Sequence, residues 1–159
     1  MDKSNACAAF LAHRRLVVVG VSRDPRDFSR TVVAELSRRG YDVVPVNPRG
    51  GFIRRVQDIV PPVEAALLMT PPAVTTEVVK DCAQAGIRHV WMHQGIGRGA
   101  ASPAAIAFCE NHGICVVSGA CPLMYLPETG LVHRAHRWCR EVLRSTRPDG
   151  AATASAFRP

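Results

Sequence analysis

The sequence has few aromatic residues, few lysines and no long hydrophobic run. Aromatic side chains make up 6% of the 159 residues and hydrophobic residues as a whole 47%, so the core must be built from aliphatic side chains. No apolar segment approaches the roughly 20 residues that a membrane-spanning helix needs. The amino-terminal segment also lacks the basic start and apolar centre of a signal peptide. We therefore expect a soluble, cytoplasmic protein with no membrane partner.

The six cysteines form no Cys-x-x-Cys pair. Without a secretory context, reduced thiols are expected rather than disulfides, most of them as small core residues. Cys121 precedes a proline at a predicted strand end, where Arg or His could activate its thiolate; the alternative is a half-buried core thiol. His133, His136 and Cys139 are spread over a wide arc of a predicted helix, so we expect no metal site.

The charge is strongly positive and almost entirely due to arginine. Twenty basic residues, only two of them lysine, face thirteen acidic ones, which gives a formal net charge of +7. Such a field attracts phosphate-bearing ligands in general. The basic residues are scattered and are not interleaved with aromatic residues that could stack on bases, so a nucleic-acid partner is not favoured.

Short apolar runs alternate with helix-like segments along the chain. The runs are apolar on both faces, as in parallel strands covered by helices on either side. They span residues 16–20, 42–46, 65–69, 89–92 and 114–117. Between them, helices are predicted at 29–39 and 74–85, each followed by a glycine, and from Ser102 or Pro103 to 111 or 112. The pattern predicts an α/β, three-layer, Rossmann-like doubly wound fold: a mainly parallel five-stranded sheet with helices on both faces.

Two further helices are predicted to flank this core. Residues 5–13 form the first, and an amphipathic segment from 129 or 130 to 144 forms the second. The apolar face of the second could pair two subunits in a homodimer or cover the sheet of its own domain. Residues 146–159 are small, polar and interrupted by Pro and Gly, which predicts a flexible tail after a single domain at 1–145.

Ligands of doubly wound sheets bind beyond the carboxyl ends of the strands, so the loops at those ends are the candidate site. After the first strand, Gly20 lets the backbone approach a ligand and Ser22 supplies a hydroxyl. Ser29 offers an N-cap for the next helix, whose N–H groups favour phosphate, and Arg23 and Arg30 are within reach. An ordinary strand-to-helix turn is the alternative.

The second loop reads Asn47, Pro48 and Arg49, where a conventional NAD-binding fold has an acidic residue for the ribose. An arginine suits a phosphate on the ribose instead, and a solvated loop arginine is the alternative. After the third strand, Pro71 and Pro72 make a rigid apolar shelf or simply a stiff loop. After the fourth, Gln94 lies among glycines that would let backbone N–H groups face a ligand.

Four motifs carry a resemblance to a known family: "VVVGVSRDPRDFSRTV", "GYDVVPVNPRG", "MTPPAV" and "WMHQGI", with "ICVVSGACPLM" as a looser fifth. In this order and spacing, across about residues 10–143, the sequence resembles the small coenzyme-A-binding proteins, stand-alone relatives of the amino-terminal domain of the succinyl-CoA synthetase alpha subunit. The resemblance implies that the first loop and helix start hold the CoA phosphates, the second loop lies near the adenosine, the third borders the adenine or pantetheine path, and the fourth closes the site. The candidate cofactor-binding residues are Gly20, Val21, Ser22, Arg23, Ser29, Arg30, Asn47, Pro48, Arg49, Thr70, Pro71, Pro72, Gln94, Gly95 and Ile96.

Two departures from that family limit what the resemblance implies. The fifth loop commonly reads Asp-Arg-Cys but here is Ser118, Gly119, Ala120 and Cys121. The phosphorylated histidine of the synthetase belongs to a second domain that this sequence does not contain, so ligase activity is not expected. We expect a non-catalytic or regulatory module that binds CoA or acyl-CoA, with no catalytic residues.

The alternative is a nicotinamide- or acyl-CoA-dependent enzyme on the same fold. Against a nicotinamide enzyme, the first loop lacks Gly-x-Gly-x-x-Gly and no acidic residue follows Val46. Against a transferase, no motif places a general base. The nucleophile motif Gly-x-Ser-x-Gly is also absent.

Overall fold

The computed structural model describes residues 2–95 and 99–126. Its helices are α1 (Lys3–Ala12), α2 (Phe28–Arg38), α3 (Pro72–Gln84) and α4 (Pro103–Asn111), and its strands are β1 (Arg15–Val19), β2 (Asp42–Val46), β3 (Ala65–Leu68), β4 (His89–His93) and β5 (Cys115–Ala120). Short 3-10 helices span Val56–Asp58 and Pro122–Met124. The five predicted strands and the four predicted helices within this part of the chain are present, with ends shifted by up to three residues.

All five strands are parallel, in the order β2-β1-β3-β4-β5. The chain runs outward from β1 to β2, then returns to place β3 on the other side of β1. The strand order therefore reverses between β1 and β3, which opens a crevice at their carboxyl ends. The predicted doubly wound, Rossmann-like fold is confirmed.

Alternating strand residues build two cores, one on each face of the sheet. Leu16 and Val18 face the core that α1 and α2 cover, and Val17 and Val19 face the core that α3 and α4 cover. This alternation follows from the two-residue repeat of a strand. Every β1 position from 16 to 19 is buried, which explains why the strand reads as an uninterrupted apolar run.

The end of β5 departs from regular pairing. Met92 of β4 pairs with Ser118, and the next residue, His93, pairs with Ala120, so Gly119 is an extra residue in β5. Gly119 has φ +73°, a conformation that suits glycine. Beside this bulge, the indole nitrogen of the fully buried Trp91 donates to the Ala120 carbonyl at 2.9 Å.

Several predictions lie outside the described residues. They are the helix at 129–144, the tail at 146–159, Ile96, and the His133, His136 and Cys139 set. Residues 1–126 cluster as one compact unit, whereas the predicted domain end at 145 and the homodimer stay predictions. Within the described ranges, no helix has the length and apolar character needed to cross a bilayer.

Candidate functional site

Gly20 brings the loops after β1 and β3 against each other at the crevice. Its φ is +96°, and a β-carbon at this position would lie 2.9 Å from the Met69 carbonyl and 3.0 Å from the Thr70 methyl group. Only glycine allows this close approach of two backbones. The structure thus places the predicted Gly20–Ser22 and Thr70–Pro72 segments on opposite sides of the crevice.

The turn between β1 and α2 satisfies most of its own polar groups. Ser29 was expected to cap α2, but this is wrong: the N-cap is Asp27, whose carboxylate accepts from the Ser29 amide at 2.8 Å. The Ser29 hydroxyl lies between Asp27 and the Ser22 amide, from which it accepts at 2.9 Å. Ser29 therefore fixes the shape of the turn, and a carboxylate already lies at the positive end of the helix.

Two amides of this turn have no acceptor among the residues that the structure describes. The amides of Asp24 and Arg26 donate to side chains within the turn, and that of Asp27 donates to a turn carbonyl. Those of Arg23 and Phe28 donate to none of the described residues.

Asn47 ties the loop after β2 to the loop after β1. Its side-chain amide donates to the Val21 carbonyl at 2.9 Å, and its side-chain oxygen accepts from the Arg49 amide at 2.8 Å. The Val46 carbonyl accepts from the amides of both Gly20 and Val21. Asn47 thus sets the position of Arg49 relative to the first loop.

Arginines line the β2 side of the crevice. The Arg23 side chain packs against Gly51, where a β-carbon would lie 2.8 Å from Arg23 Cδ. The Arg30 guanidinium lies 5.3 Å from the centre of the Phe52 ring, within the range of a cation–π contact. Arg49 is exposed. Arg23 and Arg49 thus lie on loops that follow β1 and β2, and Arg30 lies in the first turn of α2.

The loop after β3 begins helix α3 with two prolines. Pro71 is the N-cap and Pro72 the first helical residue, a position where the missing proline N–H costs nothing. The hydroxyls of Thr70 and Thr75 are 2.7 Å apart and buried. The predicted Thr70, Pro71 and Pro72 segment therefore leads directly into α3 and lies beside Gly20.

The loop after β4 adds Gln94 and Gly95 to the same edge of the sheet. The backbone N–H of Gln94 donates to the Ala120 carbonyl at 3.0 Å. Together with Pro72, Gly99 and Ala101, Gln94 lines a cavity of about 230 Å³. Ile96, predicted with them, lies outside the described residues.

Sequence reasoning missed an aromatic pair at this edge. The rings of Phe28, the first residue of α2, and His93, the last residue of β4, have centres 5.6 Å apart. Both residues stand inside the quoted motifs, but nothing in the sequence indicates that segments so far apart meet.

The described cysteines lie in or beside the core. Cys7, Cys82, Cys109 and Cys121 are buried, and Cys115 is partly exposed. Burial raises the pKa of Cys109 to about 11 and that of Cys82 further still. These thiols stay protonated at neutral pH, as expected of core residues. In the part of the chain that the structure describes, no three His, Cys, Asp or Glu side chains form a metal-binding group.

Comparison with known families decides what kind of domain this is. A family described as the CoA binding domain matches residues 14–127. The chain belongs to this family. The matched segment runs from just before β1 to just after the Pro122–Met124 helix. The expected resemblance is thereby confirmed.

Solved structures share the fold of this CoA binding domain. A conserved hypothetical protein from Pyrococcus furiosus is 29% identical with a TM-score of 0.60, the match covering 68% of this chain and 95% of that one. A protein from Thermus thermophilus is 25% identical with a TM-score of 0.65, covering 76% and 93%. A hypothetical protein from Pyrococcus horikoshii, 23% identical, has a TM-score of 0.68 over 77% and 87%. No protein with a curated description matches significantly.

Proposed function

We propose that this CoA binding domain holds CoA or an acyl-CoA in the crevice between β1 and β3, as a non-catalytic module. The observation that carries the proposal is the contact of Gly20 with the Met69 carbonyl, which brings two strand-end loops together at the switch point. Arginines lie on the neighbouring loops. Such crevices are where doubly wound folds bind nucleotides.

In this proposal each loop contacts one part of the ligand. The pyrophosphate lies at Gly20–Ser22 and the start of α2, with Arg23 and Arg30 beside it. Asn47, Pro48 and Arg49 lie near the adenosine and its 3′-phosphate, as the succinyl-CoA synthetase resemblance implies. The pantetheine crosses Thr70, Pro71 and Pro72, and the thiol end reaches Gln94, Gly95 and Ile96.

The electrostatics of the turn support arginines, more than the helix end, as the main phosphate-binding groups. The Asp27 carboxylate caps α2 and opposes a second anion there. Guanidinium groups remain charged at any physiological pH and can bind phosphate through two hydrogen bonds.

One observation fits a non-catalytic role. The Ser22 hydroxyl accepts a hydrogen bond from the Asp24 amide at 3.1 Å, so it helps to fix the backbone of this turn.

The proposal predicts that Arg49 binds the 3′-phosphate of CoA. By isothermal titration calorimetry, CoA should bind the wild type about tenfold more tightly than dephospho-CoA, because one charge-assisted contact is lost. In Arg49→Ala the affinity for CoA should fall to that for dephospho-CoA. Arg88→Ala, which removes an exposed arginine just before β4 at the opposite edge of the sheet, is the matched control and should bind like the wild type.

Parallel titrations with NAD, NADP and a short DNA duplex at two salt concentrations distinguish CoA binding from nicotinamide binding and from nucleic-acid binding. Tighter binding of NAD or NADP than of CoA would favour the nicotinamide enzyme. Salt-steep DNA binding with no response to CoA would overturn the proposal.

A further inference from the structure

The Phe28–His93 pair joins two segments that are far apart in the sequence. Phe28 begins α2 and His93 ends β4. Their ring centres are 5.6 Å apart. His93 directly precedes Gln94 and Gly95 of the candidate site, so the contact places the Phe28 ring near the carboxyl end of β4.

The strand repeat explains why His93 is available for this contact. Trp91, two residues before His93, belongs to the core that α1 and α2 cover, and a two-residue repeat places His93 on the same face. Phe28 begins α2 on that face, and the Pro122–Met124 helix also contacts α2 there. Phe28, His93 and the Pro122–Met124 helix thus all lie on the α2 side of the sheet.

The two rings differ in exposure. The His93 side chain is buried, whereas Phe28 is 46% exposed. His93 therefore packs against a ring that stays partly exposed to solvent. A single exposed apolar residue needs no special explanation, but this one contacts the buried residue that directly precedes Gln94.

We propose that the exposed surface of Phe28, supported by His93, contacts the acyl group of the ligand and selects CoA thioesters of aliphatic acids over free CoA. This inference rests on the proposed function, in which the thiol end lies near Gln94 and Gly95, the residues that follow His93. An aliphatic acyl chain attached to that thiol would cover the Phe28 ring, and the apolar surfaces of both would be removed from water. Phe28 is a specificity-determining residue in this account, and His93 is a positioning residue.

Calorimetric titration with CoA and hexanoyl-CoA tests the inference. Partial burial of a few methylene groups should make hexanoyl-CoA bind the wild type about tenfold more tightly than CoA. Phe28→Ser should abolish this preference and leave the affinity for CoA within about twofold. Phe28→Leu, which restores an apolar surface, should recover most of the preference.

Val60→Ser is the matched control. Val60 is 85% exposed, and the next residue, Pro61, accepts a hydrogen bond from Arg15 at the start of β1, so this site lies at the opposite edge of the sheet. The control should retain the wild-type preference. Because both substituted side chains are substantially exposed, neither change should unfold the protein, and circular dichroism verifies this.

Each other outcome has a distinct meaning. Equal affinity of the wild type for CoA and hexanoyl-CoA would overturn the inference and leave the proposed function standing. Equal weakening of both ligands by Phe28→Ser would also overturn it, because the ring would then contact the part that both ligands share. Binding of neither ligand by the wild type would overturn the proposed function together with the inference.

Discussion

At the scale of single residues, the shape of the crevice depends on the close approach of two backbones at Gly20. Gly20 and Gly86 both have positive φ, +96° and +79°, but only at Gly20 would a β-carbon meet other atoms within 4 Å. An alanine at Gly86 would therefore be strained only by its positive φ, whereas an alanine at Gly20 would also clash with Met69.

Substitution of both glycines measures these costs. Gly86→Ala should lower the free energy of unfolding by about 1 kcal/mol, because alanine is strained at positive φ. Gly20→Ala should lower it by about 3 kcal/mol, because the loops after β1 and β3 must also move apart. Urea denaturation compares the two variants. Equal losses would show that the close approach of the loops contributes nothing to stability.

The sequence predicted the loops that follow the strands, but it did not predict which residue caps α2. Asp27 and Ser29 can both cap a helix, and they stand two residues apart. The choice between them depends on the Ser22 amide, which the fold brings to the Ser29 hydroxyl. The pairing of Phe28 with His93 could not be predicted either, because it depends on strand order and on which face each residue occupies.

At the scale of elements, continuous apolar runs made the strands easy to find, because buried parallel strands have no polar face. Local sequence does not encode strand order, and the bulge at Gly119 depends on pairing with β4. A predicted helix start was accurate where a single capping residue determined it. Ser102 caps α4 as expected, its hydroxyl accepting from the Ala105 amide at 3.1 Å.

The amino edge of the sheet carries a titratable contact between elements. The rings of His13, which caps the end of α1, and His89, which begins β4, have centres 4.5 Å apart. His13 Nδ1 is also 3.7 Å from a carboxylate oxygen of Glu64. Burial, and then the charge of His13, lowers the pKa of His89, and Glu64 opposes this shift. The neutral form of His89 is thus favoured in the folded protein.

This arrangement predicts lower stability in mild acid. The unfolded chain binds a proton at His89 near pH 6.5, and the folded protein does so only at lower pH. The contribution of His89 to stability is therefore present above pH 6.5 and is lost as the pH falls through the folded-state pKa. Urea denaturation between pH 5 and 8 should show a smaller decline for His89→Gln than for the wild type.

His112→Gln, which replaces an exposed histidine after α4, is the control and should keep the wild-type decline. An unchanged decline in His89→Gln would contradict the assignment of the effect to the burial of His89 and the neighbouring charge of His13.

At the scale of the whole molecule, the two ends of the strands differ in the residues that they carry. At the amino edge, His13 at the end of α1 contacts His89 and Glu64, while apolar residues of α1 pack in the core. The carboxyl edge carries glycines, prolines and arginines on loops that the two cores hold in place. The net charge of +7 favours approach of an anionic ligand to the protein in general, and in the proposed function the loops at the switch point confine that ligand to one site.

A crystal structure of the protein grown with CoA tests the central claim most directly. The account predicts CoA in the crevice between β1 and β3, with its pyrophosphate beside the Gly20–Ser22 segment and its 3′-phosphate beside Arg49. CoA bound elsewhere, such as at the amino edge near His13 and His89, or no bound CoA at saturating concentration, would contradict it.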